Sequence, residues 1–238
     1  MKPVLIIAHR GASAVAPEST RAAIRAAARS GAGMVELDVQ MTRDGRLVIF
    51  HDDRLERTTN GRGRLTQRRY AELTRLEAGR WFHPRFAGES ILLVSQAFRV
   101  IPPRMGVNLE LKRTRRRARL LVRLRRILRG AAVRGRLLVS AFDPALLQPL
   151  QGSRLARALI CRRDPDRSLQ RAIALGCLAW HPFHTLVTPR RIARAHAAGL
   201  RVHAWTVDDV RLARRLIRLG VDGLFTNDPA RLATRRLR

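Results

Sequence analysis

The chain reads RVHAWTVDDVRLARRLIRLGVDGLFT over residues 201–226. The apolar runs Val202–Thr206 and Gly223–Thr226 are typical of short buried strands. Between them, Asp208–Leu219 has its apolar residues at helical spacing. A strand, a helix and a second strand in this order predict two parallel strands joined by a crossover helix.

The same alternation extends over most of the chain. Strands are predicted at Val4–His9, Met34–Asp38, Val107–Lys112, Leu137–Ala141, Ala158–Cys161, Leu178–His181, Val202–Thr206 and Gly223–Thr226. Helices are predicted at Thr20–Ser30, Arg115–Arg129, Pro144–Leu150, Asp166–Leu175, Pro189–Ala198 and Asp208–Leu219. Eight such strands in 238 residues fit an α/β fold, the closed (β/α)8 or TIM barrel. An open doubly wound sheet is the alternative, but the first strand is not followed by the Gly-rich loop typical of that fold.

Residues 53–106 interrupt this alternation with short pieces that contain Gly and Pro. We therefore predict one domain over residues 1–238, with an insertion at about 53–106 that follows His51 and lies above the barrel as a cap. Within the insertion, Ile91–Val100 is predicted to be a helix that leads back to the next strand.

The composition predicts a globular protein with a substantial core, since 46% of the residues are hydrophobic. No apolar stretch approaches the roughly 20 residues needed to cross a bilayer, and Val4–Ala8 is too short for the core of a signal peptide. Cys161 and Cys177 lie in apolar contexts without metal-ligand spacing and are predicted to be small core residues. These features favour a soluble cytoplasmic protein.

The net charge of +30 comes almost entirely from arginine, since Lys2 and Lys112 are the only lysines among 48 basic residues. Such uniformity is typical of a genome-wide preference for arginine rather than of one selected basic patch. A positive field would still attract anionic substrates and favour weak binding to nucleic acid or to a membrane surface. The internal lysine, Lys112, indicates a position that requires a compact ammonium group.

A hairpin is predicted from residue 35 to residue 51, with Asp44-Gly45 as a two-residue turn. This register places His51 directly opposite Asp38, and Glu36 projects from the same face. The flanking residues are apolar, and charged groups are rarely buried without partners or a metal ion. A functional site is therefore the favoured interpretation. The alternative is a partly exposed hairpin whose carboxylates pair with arginines.

Polar side chains also end several other predicted strands. In a barrel of this kind, the carboxyl ends of the strands line the active face. The residues at or near such ends are His9, Arg10, Glu36, Asp38, Glu110, Lys112 and Trp205. Imidazoles for proton transfer, carboxylates for a divalent cation and fixed positive charges for a phosphate suit phosphodiester cleavage.

The ordered motifs resemble the signature of the glycerophosphodiester phosphodiesterase family. The matching segments are His9-Arg10-Gly11-Ala12, Ala16-Pro17-Glu18-Ser19-Thr20, Glu36-Leu37-Asp38-Val39, Thr42-Arg43-Asp44-Gly45, His51-Asp52-Asp53, Arg57-Thr58-Thr59-Asn60-Gly61, Ala78-Gly79-Arg80-Trp81-Phe82, Glu110-Leu111-Lys112, Trp205-Thr206-Val207 and Gly220-Val221-Asp222-Gly223. The resemblance covers essentially the whole chain. The stretch Leu93-Val94-Ser95-Gln96 further resembles the cytosolic bacterial branch of the family.

The resemblance implies a TIM barrel with a small insertion after the third strand, which is the return strand of the hairpin. It also implies hydrolysis of glycerophosphodiesters, such as glycerophosphocholine, to glycerol 3-phosphate and an alcohol. His9 and His51 would be the acid–base pair. Mg²⁺ or Ca²⁺ would be held by Glu36, Asp38 and Glu110, while Arg10 and Lys112 would contact the phosphate.

Four further residues have two interpretations each. Glu18 either supports the site or is ordinary charge at a helix start, and Trp205 either stacks beside the glycerol or fills the barrel mouth. His181 and His184 either contact substrate or pack in the fold. Asn227-Asp228 predicts a turn and a helix cap.

Two alternative functions remain open at this point. A lysophospholipase D or a phosphoinositide phospholipase C type of reaction would use a related barrel. Residues 113–136 carry eleven arginines and no acidic residue, with leucines at helical spacing. This pattern favours the solvated face of a barrel helix, and the rival is added binding to an anionic membrane or to nucleic acid.

Overall fold

The computed structural model describes residues 3–129 and 136–233. Within these ranges, eight parallel strands follow one another around a closed sheet: β1 (Leu5–His9), β2 (Met34–Met41), β4 (Gly106–Leu111), β5 (Leu137–Ala141), β6 (Ala156–Cys161), β7 (Ala179–Pro182), β8 (Arg201–Ala204) and β9 (Gly223–Thr226). The ring closes because β1 pairs with β9 on one side and with β2 on the other. This arrangement confirms the (β/α)8 barrel.

Helices cover the outside of the barrel. They are α1 (Arg21–Arg29), α3 (Val94–Val100), α4 (Arg117–Arg129), α5 (Pro165–Ala174), α6 (Pro189–Ala197) and α7 (Val210–Leu219). Helix α2 (Tyr70–Leu73) instead contributes its buried Leu73 to a separate small core. The predicted helix Pro144–Leu150 is wrong, because this segment forms two short 3-10 turns, Pro144–Leu146 and Gln148–Leu150. Pro149 explains the break, since a proline inside a helix lacks the N–H group and clashes with the preceding turn.

The arginine-rich helix α4 has the amphipathic form expected of a barrel helix. Its buried residues are Leu120, Leu121, Leu124 and Leu128, and they belong to the main hydrophobic core. Arg117, Arg119, Arg125, Arg126 and Arg129 are exposed. Residues 130–135 of the predicted segment 113–136 lie outside the described residues.

The hairpin is present, but its predicted register is wrong by one position. The short strand β3 (Leu47–Ile49) runs antiparallel to β2, with Val39 opposite Ile49. The N–H of Phe50 donates to the carbonyl of Asp38 at 2.9 Å, so His51 does not lie directly opposite Asp38. The cause is the loop, which has three residues and ends on Gly45 at φ +84°. A type I turn followed by a left-handed glycine is the usual three-residue hairpin loop.

The segment after β3 has a small hydrophobic core of its own. Its buried residues are Val48, Phe50, Leu55, Leu65, Leu73, Ala78 and Ile91. Helix α3 begins at Val94, three residues after the predicted start, and packs on the main core. The short strand β3 therefore stands between the two cores, with Val48 in the small core and Leu47 and Ile49 in the main one.

Two further expectations concern the cysteines and membrane-spanning segments. Cys161 and Cys177 are buried free thiols, as predicted. Among the described helices, none is both long and apolar enough to cross a bilayer.

Candidate active site

Three carboxylates meet at the carboxyl end of two neighbouring barrel strands. Glu36 and Asp38 lie on β2, and Glu110 lies on β4, where the strand register pairs it with Asp38. One oxygen from each of the three carboxylates lies within 4.8 Å of the others. Glu36 and Asp38 are 2% and 1% exposed, so this charge is concentrated inside the protein.

Two cationic side chains contact the carboxylates but leave some of the carboxylate oxygens without a hydrogen-bond partner among the described residues. The Lys112 ammonium group donates to Glu110 at 3.1 Å and lies 3.3 Å from an oxygen of Asp38. The Arg10 guanidinium lies 3.4 Å from the other Asp38 oxygen, and the backbone N–H of Arg10 donates to Glu36 at 3.0 Å. Arg10 adopts φ +59°, a left-handed conformation that is uncommon for a residue other than glycine.

The donor set fits a hard divalent cation. Glu36 Oε1 and Asp38 Oδ2 are buried and have no hydrogen-bond partner within the part of the chain that the structure describes. Burial, and then the negative charge of Asp38, raises the pKa of Glu36 well above its ordinary value and that of Glu110 to about 7. Oxygen-only ligands of this kind are typical of Mg²⁺ and Ca²⁺ sites. This group could therefore hold a metal ion.

His9 ends β1 and lies against the last strand of the barrel. Its Nδ1 atom is 2.8 Å from Oδ1 of Asn227. Burial, and then the positive charge of Arg10, lowers the pKa of His9 to about 4. His9 is therefore a neutral imidazole near pH 7.

His51 follows β3 and is paired with an acidic neighbour. Its Nδ1 atom is 2.5 Å from Oδ1 of Asp52. Burial raises the pKa of Asp52, but hydrogen bonds from Arg57 and from His51 outweigh it and hold the pKa at about 2. Burial also lowers the pKa of His51, and Arg10 and Lys112 lower it further, while Asp38 and the hydrogen bond to Asp52 oppose them.

A cavity of about 350 Å³ joins these groups at the carboxyl ends of the strands. One side holds the polar residues His9, Arg10, Glu36, His51, Glu110 and Lys112. The other side is formed by Phe142, Ile160, Arg162, His181, Trp205 and Phe225. Two imidazoles, two cations and the carboxylate group can therefore face one small anionic molecule.

The sequence profile described as the glycerophosphoryl diester phosphodiesterase family matches residues 9–231. The chain belongs to this family. It is 33% identical over 237 residues to a glycerophosphodiester phosphodiesterase of Caldanaerobacter subterraneus subsp. tengcongensis, and the match covers 96% of each chain. A glycerophosphodiester phosphodiesterase of Bacillus altitudinis is 32% identical, with 95% of each chain covered. The expectation of a phosphodiesterase enzyme is thereby confirmed.

Solved structures of glycerophosphodiester phosphodiesterases are also similar. A phosphodiesterase of Oleispira antarctica, in complex with the product sn-glycerol-3-phosphate, has a TM-score of 0.91 and 33% identity, covering 96% of this chain and 94% of that one. A glycerophosphodiester phosphodiesterase of Agrobacterium tumefaciens has a TM-score of 0.81 and 28% identity, covering 96% and 98%. The family, the fold and the enzyme class therefore agree.

In this glycerophosphodiester phosphodiesterase, the four residues with two interpretations take different positions. Trp205 and His181 line the cavity, and the Trp205 indole N–H donates to the His181 carbonyl at 2.9 Å. His184 does not line the described cavity and packs against Phe183, with ring centroids 4.4 Å apart. Glu18 accepts hydrogen bonds from Arg10 at 3.0 Å and from Arg57 at 2.8 Å, which places it behind Arg10.

Sequence reasoning missed two residues near the catalytic candidates: Asn227, which contacts His9, and Arg57, which contacts the Asp52 neighbour of His51. Asp228 caps a turn as predicted, since it accepts from the N–H of Arg231 at 3.0 Å, but its neighbour Asn227 contacts His9. Arg57 links Asp52 to Glu18, and so connects His51 with Arg10. The adjacency of Asp52 to His51 was a usable signal. For Asn227 the usable signal was its position directly after the strand Gly223–Thr226. Its partner could not be read from the sequence, because the contact joins residues 218 positions apart.

Proposed function

We propose that this enzyme hydrolyses glycerophosphodiesters, such as glycerophosphocholine and glycerophosphoethanolamine, to sn-glycerol 3-phosphate and an alcohol. His9 and His51 act as the acid–base pair, and Arg10 and Lys112 bind the phosphate. Glu36, Asp38 and Glu110 hold Mg²⁺ or Ca²⁺. Trp205 stacks beside the glycerol, and His181 contributes to the same wall of the cavity.

This proposal depends on one observation: seven polar side chains lie together at one cavity and at the group of carboxylates beside it. His9, Arg10, Glu36, His51, Glu110 and Lys112 line the cavity, and Asp38 completes the carboxylate group. The similar enzyme of Oleispira antarctica binds sn-glycerol-3-phosphate, which is the product expected from this chemistry.

The two histidines have the main chemical task, which is to remove one proton and to donate another. One imidazole removes the proton from the oxygen that attacks phosphorus, and the other protonates the departing alcohol. Arg10 and Lys112 face the phosphate and stabilise the negative charge that develops on it. Hydrogen bonds to Glu18 and Glu110 hold these two cations in place.

The metal ion would supply charge neutralisation at the phosphate and would make a nearby hydroxyl group more acidic. Lys112 and Arg10 also contact the carboxylate of Asp38. A divalent ion would add positive charge beside the three carboxylates, of which Glu36 and Asp38 are buried.

The attacking oxygen is the 2-hydroxyl group of the glycerol in the pathway we favour. A cyclic glycerol phosphate then forms, and water opens it with the two imidazoles in exchanged roles. Rapid-quench experiments distinguish this pathway from direct attack by water, because only the first produces the cyclic compound before the final product.

The decisive experiment measures release of sn-glycerol 3-phosphate from glycerophosphocholine and glycerophosphoethanolamine with Mg²⁺, with Ca²⁺ or with a chelator. The proposal is supported if the enzyme releases product with Mg²⁺ or Ca²⁺ but not with the chelator. Equal product with chelator contradicts the metal site, and no product with any of these diesters contradicts the substrate class. A parallel series with lysophospholipids of increasing acyl length, and with phosphoinositides, tests the two alternative phosphodiesterase reactions.

A further inference from the structure

Asn227 connects His9 to the partly buried carboxylate of Asp208, which lies between β8 and α7. The residue follows β9 directly, and its Oδ1 atom lies 2.8 Å from His9 Nδ1. Its Nδ2 atom donates to Oδ2 of Asp208 at 2.7 Å. Ser13 Oγ also donates to Asn227 Oδ1, at 2.9 Å. His9, Asn227 and Asp208 are therefore joined in a chain of two side-chain hydrogen bonds.

The orientation of the Asn227 amide follows from its partners. An ionised carboxylate only accepts hydrogen bonds, so the NH₂ group must face Asp208 and the carbonyl oxygen must face His9. Asp208 is itself held by the N–H of Asn227 at 2.7 Å and by the hydroxyl of Thr226 at 2.9 Å. The amide therefore has no alternative orientation that keeps these bonds.

This orientation determines which nitrogen of His9 carries the proton. A carbonyl oxygen only accepts, so the hydrogen must lie on Nδ1 of His9. In the neutral ring, Nε2 is then left with a free lone pair, and the ring lines the cavity. Nδ1–H bonds of this kind are a known way to fix the tautomer of a functional histidine.

We propose that Asn227 is a positioning residue that holds His9 with its proton on Nδ1 and so makes Nε2 the acceptor of the first proton in the reaction. The proton of the attacking hydroxyl moves to Nε2 of His9 as the oxygen–phosphorus bond forms. His51 enters the step as an imidazolium paired with Asp52. The bond between phosphorus and the leaving oxygen breaks as that oxygen takes the proton from His51, so the step ends with His9 charged and His51 neutral. This role rests on the proposed function.

The surroundings of the two histidines support this division. His9 has the neutral amide of Asn227 at its Nδ1 atom. His51 has the carboxylate of Asp52 at its Nδ1 atom. A carboxylate stabilises an imidazolium better than a neutral amide does, which suits the donor.

The first test is the tautomer of His9, measured by nitrogen NMR on protein labelled with ¹⁵N-histidine. His9→Ala assigns the resonances by difference. The expected result is Nδ1–H in the wild type and in the control Asn60→Ala, and loss of this single tautomer in Asn227→Ala. A wild-type His9 with its proton on Nε2 would overturn the proposal. This readout needs no substrate, so it stands even where no diester is hydrolysed.

The second test is kinetic. Asn227→Ala should lower kcat by about tenfold to a hundredfold, with KM changed by less than about threefold, because the substrate contacts stay in place. The double variant Asn227→Asp with Asp208→Asn exchanges the two side chains and retains an acceptor for His9 and a donor between them. It should recover much of the lost kcat.

Two outcomes contradict the positioning role. One is an Asn227→Ala protein that folds and turns over at the wild-type rate. The other is a folded double variant as slow as Asn227→Ala, which would show that the acceptor at His9 is not what matters. Where Asn227→Ala does not fold, the wild-type NMR result and the double variant decide the question.

Discussion

The surroundings of Glu36 disfavour its ionised form unless a cation is bound. Its pKa is raised by burial and by the neighbouring carboxylates, Asp38 first and Glu110 second. A raised carboxyl pKa means that the charged form destabilises the fold at any pH above the ordinary value. Removing this charge therefore stabilises the metal-free protein, whereas binding a divalent ion stabilises the wild type.

Glu36→Gln should raise the free energy of unfolding of the metal-free protein by about 1 kcal/mol or more, or about 2–4 °C in Tm. It should also reduce the increase in Tm that Mg²⁺ or Ca²⁺ produces in the wild type. Thermal unfolding with metal and with chelator measures both effects. The control is Glu72→Gln, an exposed carboxylate of α2, expected to change stability by less than about 0.5 kcal/mol. A full metal response in Glu36→Gln would remove Glu36 from the metal site.

The metal response of the wild type should also depend on pH. The pKa of Glu110 is raised to about 7, so the metal-free fold loses stability as the pH rises from about 4.5 toward and past 7. The gain in Tm on adding Mg²⁺ or Ca²⁺ should therefore be larger at pH 8 than at pH 5. A gain that is equal or smaller at pH 8 would contradict the charge repulsion described here.

His9 and His51 are expected to be individually essential. His9→Ala and His51→Ala should each lower kcat by about a hundredfold or more, since general acid–base catalysis contributes at least that much. Circular dichroism and thermal unfolding should show a folded protein in both cases. The control is His83→Ala, an exposed histidine at the start of a 3-10 turn, expected to keep normal activity. Near-normal turnover in either site variant would remove that residue from the mechanism.

At the scale of elements, the turn after β1 depends on Gly11. Gly11 has φ +83°, and a Cβ atom there would lie 2.7 Å from the carbonyl carbon and the Cβ of Ala23. Backbone atoms of α1 cannot move away cheaply, so the turn that presents Arg10 requires glycine for space as well as for conformation. Gly31 has the same conformation, at φ +81°, but no atom within 4 Å of its Cβ position in the described chain.

This pair of glycines gives a matched test. Gly31→Ala should cost about 1 kcal/mol, the effect of the left-handed backbone alone. Gly11→Ala should cost about 2–4 kcal/mol in total, because overpacking adds to the backbone effect, and activity should fall as Arg10 shifts. Urea unfolding measures the two costs. Equal costs at the two positions would show that the contact with Ala23 is relieved by small movements.

The elements also show where sequence reasoning ends. The strand–helix alternation predicted the barrel because each element has its own periodicity. The hairpin register failed because Asp44-Gly45 fits a two-residue turn and also the end of a three-residue loop. The helix at Pro144–Leu150 failed because the apolar spacing was weighed without the effect of Pro149. Both errors concern local backbone geometry, which can change with one residue in a loop or with one proline.

The site residues were predictable to the extent that strand ends meet at one face of a barrel. His9, Glu36, Glu110 and Lys112 were found in this way. Contacts between distant loops were not, because spacing along the chain contains no information about them. Asn227 is the example, since its position after β9 places it at the active face but does not identify His9 as its partner.

At the scale of the whole molecule, the net charge of +30 acts on any charged substrate. Depressions beside the cavity are lined by arginines, including Arg162 and Arg163 on one side and Arg113 and Arg117 on the other. A positive field of this kind increases the rate at which anions reach the cavity, and salt screens it over about 10 Å at 0.1 M.

Salt should therefore affect an anionic diester more than a zwitterionic one. Glycerophosphoglycerol has a net charge of −1 and glycerophosphocholine has none, while both present the same glycerol phosphate to the site. Raising NaCl from about 20 to about 300 mM should lower kcat/KM severalfold for the first and much less for the second, with kcat little changed for either. Steady-state kinetics at constant free metal concentration measure this difference. Equal losses for both substrates would place the salt effect at the shared phosphate contacts and would leave the surface charge without a role in substrate capture.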